Sequence, residues 1–204
     1  MVWGALAIGA PMTTTHERME MAHALRVKLK LSLELNHEPL GLYGVERKLI
    51  MVKGSGESMQ HVMMKLLSYV TFYHEDLLIE AKAGQHYKPD LVRFDLTGEP
   101  VQWVDCGATT LKKLDIISRK NAETYIDIVK KSRSELALYK IQADARLARP
   151  ERVRYWTFGR SFLNTLCGLM TGKHTLHVTV SHEYSGLFVM VDGKETLSTE
   201  IIRL

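Results

Sequence analysis

Cysteine is scarce in this chain, and the little there is follows no pattern: Cys106 and Cys167 make no CxxC or other metal-ligand spacing. A disulfide framework needs more cysteines in a chain of this length, so both are expected to be reduced and buried. Long hydrophobic runs are missing as well. The most apolar stretch, VWGALAIGAP, is only half the roughly 20 residues that cross a bilayer, and it lacks the basic n-region of a secretory signal. A cytoplasmic protein without membrane contact is therefore expected. Residues 1–23 are expected to stay outside the fold, as an unstructured extension or through an early start assignment, because Met12, Met19 and Met21 offer later starts. Charge of one sign is not in large excess: net charge is +4 and pI near 9.0, compatible with an anionic partner but well short of a polybasic chain. Internal repeats and low-complexity tracts are absent, and His174, His177 and His182 have no third convergent ligand that would make a zinc site.

What remains suits one well-buried core. With 204 residues, 46% hydrophobic and 25% charged, residues 24–204 are expected to form a single domain, acting as a monomer. Ala24 to Leu35 alternates apolar and polar residues, as a half-buried strand does. Val45 to Val52 predicts a second strand, and Gly54-Ser55-Gly56 a break before a helix from Glu57 to about Tyr73. On that helix Val62, Met63, Leu66, Leu67 and Val70 form the apolar stripe, while Glu57, His61 and Lys65 follow at i, i+4 spacing. Further strands are expected at Leu77 to Ala81, Glu123 to Lys130 and VRYWTF, and helices over SELALYKIQADARL and Ser161 to Met170. HTLHVTVSH and GLFVMVDGK would close the chain as a hairpin. Such a mixture predicts an α/β sandwich with a mixed central sheet.

The segment KPDLVRFDLTGEPVQWVDCGATTLKK carries the chemistry. Leu91 to Leu96 and Val101 to Cys106 are strand-like runs separated by Thr97-Gly98-Glu99-Pro100, a hairpin signal. Asp90 then lies at the mouth of one strand and Asp105 near the end of the next, so both fall at the same end of the sheet. Gly107 ends the strand, and a helix starts behind Thr109 or Thr110 as cap, bringing Lys112 and Lys113. Two hard carboxylates from adjacent strands suit Mg²⁺ or Mn²⁺, and a lysine beside them suits the charge that develops on a phosphoryl group. Lys113 lies nearer the stripe of Leu111, Leu114 and Ile117 than Lys112 does and is the favoured partner, with Lys112 kept as the alternative.

The ordered series ESMQHVMMKLLSYV, KPDLV, WVDCG and LKKLD resembles the YaeQ family, over about residues 24–192. That family is placed in the PD-(D/E)xK restriction-endonuclease-like superfamily. The resemblance implies a restriction-endonuclease-like fold, and a metal-dependent phosphodiester hydrolase site built from a helix glutamate, the Asp of the PD pair, and an acidic residue followed two places later by Lys. In this chain the corresponding residues are Glu57, Asp90 and Asp105, and the lysine position holds Gly107. YaeQ-like sequences also carry Gly there with basic residues in the next helix, which makes Lys112 or Lys113 a relocated lysine.

Each of these residues also has a plain structural explanation. Carboxylates at strand ends are mostly solvated, and Glu57 at a helix start is stabilised by the helix dipole without any catalytic part. The run ADARLARPERVRYWTFGR surrounds Tyr155 and Trp156 with arginines, and Arg149, Arg152 and Arg154 are the candidates for nucleic-acid phosphates or, failing that, for a solvated face. Replacing these three together is expected to weaken nucleic-acid binding while leaving the fold intact. Two functions follow: a Mg²⁺- or Mn²⁺-dependent nuclease with Asp90 and Asp105 on the metal, or an inactive module on the same fold that binds nucleic acid or protein.

Overall fold

The computed structural model describes residues 27–121 and 123–204. The extension expected over residues 1–23, and the first residues of the strand expected from Ala24, lie outside them. In the rest, the alternating segment forms β1 (Lys28–His37), with Leu29, Leu31, Leu33, Leu35 and His37 all buried on one face. It pairs antiparallel with β2 (Leu42–Val52) and parallel with β8 (Lys173–Val180), and β9 (Gly186–Val191) and β10 (Glu195–Glu200) extend this sheet to five strands. The expected closing hairpin is present as β8 and β9. The second sheet has six strands in the order β11-β7-β6-β5-β4-β3, where β5 (Pro100–Cys106), β6 (Tyr125–Lys130) and β7 (Val153–Thr157) are parallel. Its antiparallel members are β3 (Leu78–Ile79) and β4 (Leu91–Phe94) on one side and β11 (Ile202–Arg203) on the other. The α/β sandwich is thus built from two mixed sheets.

Between them runs α1 (Met59–Thr71), buried without interruption from Val62 to Thr71. A helix apolar on nearly all sides has to be enclosed by protein, and here its side chains join one cluster with Leu31 and Leu176 of the first sheet and Leu91 and Val104 of the second. Each of the large apolar side chains so enclosed contributes about 2 kcal/mol. The helix starts two residues later than Glu57, because Ser58 is the cap: its hydroxyl accepts from the His61 backbone N–H. The outer face of the second sheet is covered by α2 (Leu111–Lys120) and α3 (Arg133–Asp144), over a second cluster that contains Trp103, Leu114, Ile117, Ile126, Ile128 and Leu136. Thr110 caps α2 by accepting from Lys113 N–H. The fourth helix, α3's successor α4 (Arg160–Leu169), returns Phe162, Leu163 and Leu166 to the inner core. None of the described helices is long and apolar enough to cross a membrane.

Candidate active site

Register brings the two aspartates level. The Asp90 N–H donates to the Val104 carbonyl, and Leu91 pairs with Val104, so Asp90 stands beside Asp105 at one end of the β4–β5 ladder. Their side chains then engage different partners. One Asp90 oxygen accepts from the Cys106 N–H at 2.7 Å, and the other lies 3.0 Å from His61 Nε2. Asp105, only 2% exposed, accepts from Trp103 Nε1 at 3.2 Å, and its Oδ2 lies 2.6 Å from Lys113 Nζ. That second contact is a short, buried ion pair, so Lys113 is the counter-charge of Asp105. Burial raises the Asp105 pKa above its ordinary value, with Lys113 working against it and the Asp90 charge adding to it.

A chain of alternating charge runs back from Asp90 along α1. His61 Nε2 is also 3.3 Å from Glu57 Oε1, and the same oxygen is 2.6 Å from Lys65 Nζ. Lys65 is buried and also binds Glu80, whose other oxygen lies 3.4 Å from Lys88 Nζ. Glu57 itself sits just ahead of the helix, where its Oε2 accepts from the Gly54 N–H at 3.0 Å and so holds the turn that leads into α1. Burial lowers the pKa of His61, but the hydrogen bond and charge of Asp90, together with Glu57, outweigh it and leave the imidazole above its ordinary range. The same balance raises Lys65: desolvation opposes its charge, and Glu57 and Glu80 more than offset that.

Gly107 adopts φ +70°, a left-handed conformation that glycine takes without strain. A Cβ there would stand 3.2 Å from His61 Nδ1 and 3.5 Å from the Met64 methyl. Position 107 therefore has room for the chain and none for a lysine. Its backbone continues the parallel ladder, with Gly107 N–H donating to the Val129 carbonyl, so Lys130 is its neighbour on β6. Lys130 is buried, hydrogen-bonds the Gly107 carbonyl, and lies 3.9 Å over the Tyr139 ring; burial lowers its pKa. An open cleft of about 510 Å³ lies alongside, lined among others by Glu57, His61, Gly107, Lys131 and Glu135.

Of the residues expected from sequence, Glu57 and Asp90 meet through His61, and Asp105 meets Lys113. Lys112 is exposed and has no ion pair among the described residues. The arginines lie elsewhere. Arg149 and Arg152 precede β7, and Val153 pairs with Ile126, so they sit at the opposite end of the parallel strands from Gly107. Arg149 is exposed, and Arg152 is 3.8 Å from Glu123. Arg154 donates twice to Asp127, both at 2.6 Å, and its guanidinium lies 4.7 Å over Tyr125. The expectation that all three arginines are exposed is corrected for Arg154, which is half-buried as the counter-charge of the fully buried Asp127. Sequence reasoning noted the spacing of Lys65 but missed its burial, and it missed Glu80 and Lys130 altogether. A lysine inside the apolar run VMMKLLSYV was the available signal for the first; Glu80 and Lys130 carried none. No three His, Cys, Asp or Glu side chains gather as a metal-holding group among the described residues.

Comparison with known proteins adds the fold and the family. The chain resembles the crystal structure of YaeQ protein from Pseudomonas syringae with a TM-score of 0.72 at 20% identity, covering 87% of this chain and 95% of that one. It resembles the YaeQ protein of Xanthomonas axonopodis pv. citri with a TM-score of 0.71 at 18% identity, covering 87% and 97%. No curated protein matches. The model of the family described as YaeQ protein matches residues 21–201, nearly the whole chain, and the chain therefore belongs to the YaeQ family.

Proposed function

We propose that this protein is a metal-dependent phosphodiesterase of the PD-(D/E)xK kind, with nucleic acid as the substrate class and Mg²⁺ or Mn²⁺ as the ion. The observation that carries the reading is the level placement of Asp90 and Asp105 at one end of the β4–β5 ladder, with Lys113 Nζ 2.6 Å from Asp105 Oδ2. The donor set fits a hard cation, since Mg²⁺ takes only one or two protein carboxylates and keeps its other positions for water and substrate. Asp90 and Asp105 would hold it, with Glu57 as an outer carboxylate, and it would supply polarisation of a phosphoryl oxygen and a more acidic water. The chain's own groups do the rest. His61 and the Cys106 N–H fix the Asp90 carboxylate, while Lys65 holds Glu57 in place. Lys113, with its ammonium at Asp105, is the cation placed to face the negative charge that builds on phosphoryl oxygens as water adds and the bridging P–O bond breaks. The reading includes a cytoplasmic, reducing setting, in which Cys106 and Cys167 remain free thiols, and a protein that works as a single copy.

A specific observation favours a second reading, an inactive binding module. His61, Lys65 and Lys113 already neutralise Glu57, Asp90 and Asp105. Melting temperature measured against Mg²⁺ and Mn²⁺ concentration separates the two. A hydrolase site predicts a concentration-dependent rise in the wild type, lost in the Asp90→Asn and Asp105→Asn double variant, together with ion-dependent cleavage of oligonucleotides. A rise that persists in the double variant removes these carboxylates from the site, and the absence of both rise and cleavage selects the binding module.

A further inference from the structure

Residues 80–88, EAKAGQHYK, lead into Asp90 and form a loop with no acid between Ala81 and Lys88. The loop is held at both ends and in the middle. Glu80 N–H donates to the Asp90 carbonyl at 2.8 Å, Gln85 Nε2 donates to Asn121 Oδ1 at 2.6 Å, and Ala83 and Tyr87 pack against the core beneath α2. Lys82, His86 and Lys88 are left exposed on its outside. The His86 ring stands edge-to-face on Tyr87, with centroids 4.9 Å apart and planes at 73°. Tyr87 in turn has Lys113 Nζ 5.9 Å from its ring centroid, and Lys113 is the partner of Asp105. Two residues, Tyr87 and Lys113, therefore separate a propped, exposed imidazole from the candidate catalytic carboxylate. Beside the loop an open cleft of about 670 Å³ reaches the β4–β5 turn and the end of α2, at the end of β5 away from Asp105; among the described residues its lining has Lys82 and Lys120 against one acid, Glu99, with Phe94 as its aromatic.

We propose that this loop binds single-stranded nucleic acid, with an unpaired base stacked on His86 and the flanking phosphates on Lys82 and Lys88, along the segment that leads into Asp90. The inference rests on the phosphodiesterase reading for the site to which the strand leads. Aromatic rings interleaved with lysines are the chemistry of strand binding: each base has a π-face to stack, and the backbone charge is met by ammonium groups. A duplex keeps its base faces covered by neighbouring pairs and would use only the lysines.

The test is fluorescence anisotropy of a labelled short oligonucleotide, single-stranded and as duplex, at several salt concentrations and without divalent ions, so that binding is read apart from cleavage. The single strand should bind more tightly than the duplex. His86→Ala should weaken single-strand binding on the order of tenfold, and His86→Phe should restore it because a ring is retained. Lys82→Ala with Lys88→Ala should reduce the slope of log affinity against log salt by about 0.7 for each lost phosphate contact. Affinity unchanged in His86→Ala, tighter binding of the duplex, or no wild-type binding at low salt would overturn the proposal. Parallel incubations with Mg²⁺ or Mn²⁺ keep the two ideas apart. Loop effects as expected without wild-type cleavage retain the loop site and sink the phosphodiesterase reading, whereas cleavage by a protein whose loop variants bind like wild type does the reverse.

Discussion

A methyl group at position 107 would enter the space of the His61 ring, 3.2 Å from Nδ1, on a backbone whose φ of +70° already disfavours any side chain. Gly107→Ala is expected to cost about 1–2 kcal/mol through the left-handed conformation alone, read as a lower denaturant midpoint with an unchanged slope. The departure from the motif at this position was legible in the sequence, but its cause was not, because His61 reaches Gly107 only after α1 has been laid between the sheets. A second residue shows the same limit. His37 carried no sequence signal, yet its ring is fully buried, with Nε2 donating to the Thr71 carbonyl at 3.0 Å and Nδ1 without a partner among the described residues. Burial holds its pKa below the ordinary 6.5. The unfolded chain then takes up a proton that the folded ring refuses, so the difference in bound protons favours unfolding as pH falls below about 6.5. Stability measured by urea denaturation should decline on that side, and His37→Gln should flatten the decline. Equal pH profiles for both proteins would assign the acid sensitivity to other groups.

Strands β5, β6 and β7 are joined by more than their ladders. Asp127 lies at the middle strand, accepts from Gln102 Nε2 of β5 and from Arg154 and Trp156 Nε1 of β7, and is completely enclosed. Removing one partner of such a pair leaves an uncompensated charge in the core, whereas an exposed arginine is nearly neutral to stability. Arg154→Ala is thus expected to cost about 3 kcal/mol, and Arg149→Ala less than about 0.5 kcal/mol, both from chemical denaturation. Comparable losses would mean that Asp127 is adequately served by its other donors. Legibility varied among elements for a related reason. Strand β1, helix α1 and the β4–β5 hairpin announce themselves through period and turn chemistry, and the level placement of Asp90 and Asp105 followed from them. Strand β10 did not: ETLSTE is polar, and only pairing with β9 makes it a strand. The Asp127–Arg154 pair was equally hidden, because in sequence Arg154 is just one more arginine among several.

At the scale of the molecule, the two sheets share one inner core, and the chain passes from one to the other near its C-terminal end. Strand β10 closes the first sheet, β11 joins the second beside β7, and the buried Ile201 is the step between them. In the first sheet the inner neighbour of β1 is β8, paired in parallel so that Leu33 meets Leu176. On a ribosome the first of these strands emerges long before the second exists. Until then the inner edge of β1 is open and the apolar face it shares with β2 is uncovered, which α1 alone cannot enclose. Closing so long a loop is entropically slow, and proteins dominated by such distant pairings fold late. The protein should therefore reach its native state only after synthesis, by docking its last third onto its first, and a nascent chain stalled before β8 should be protease-sensitive and a ready client for chaperones.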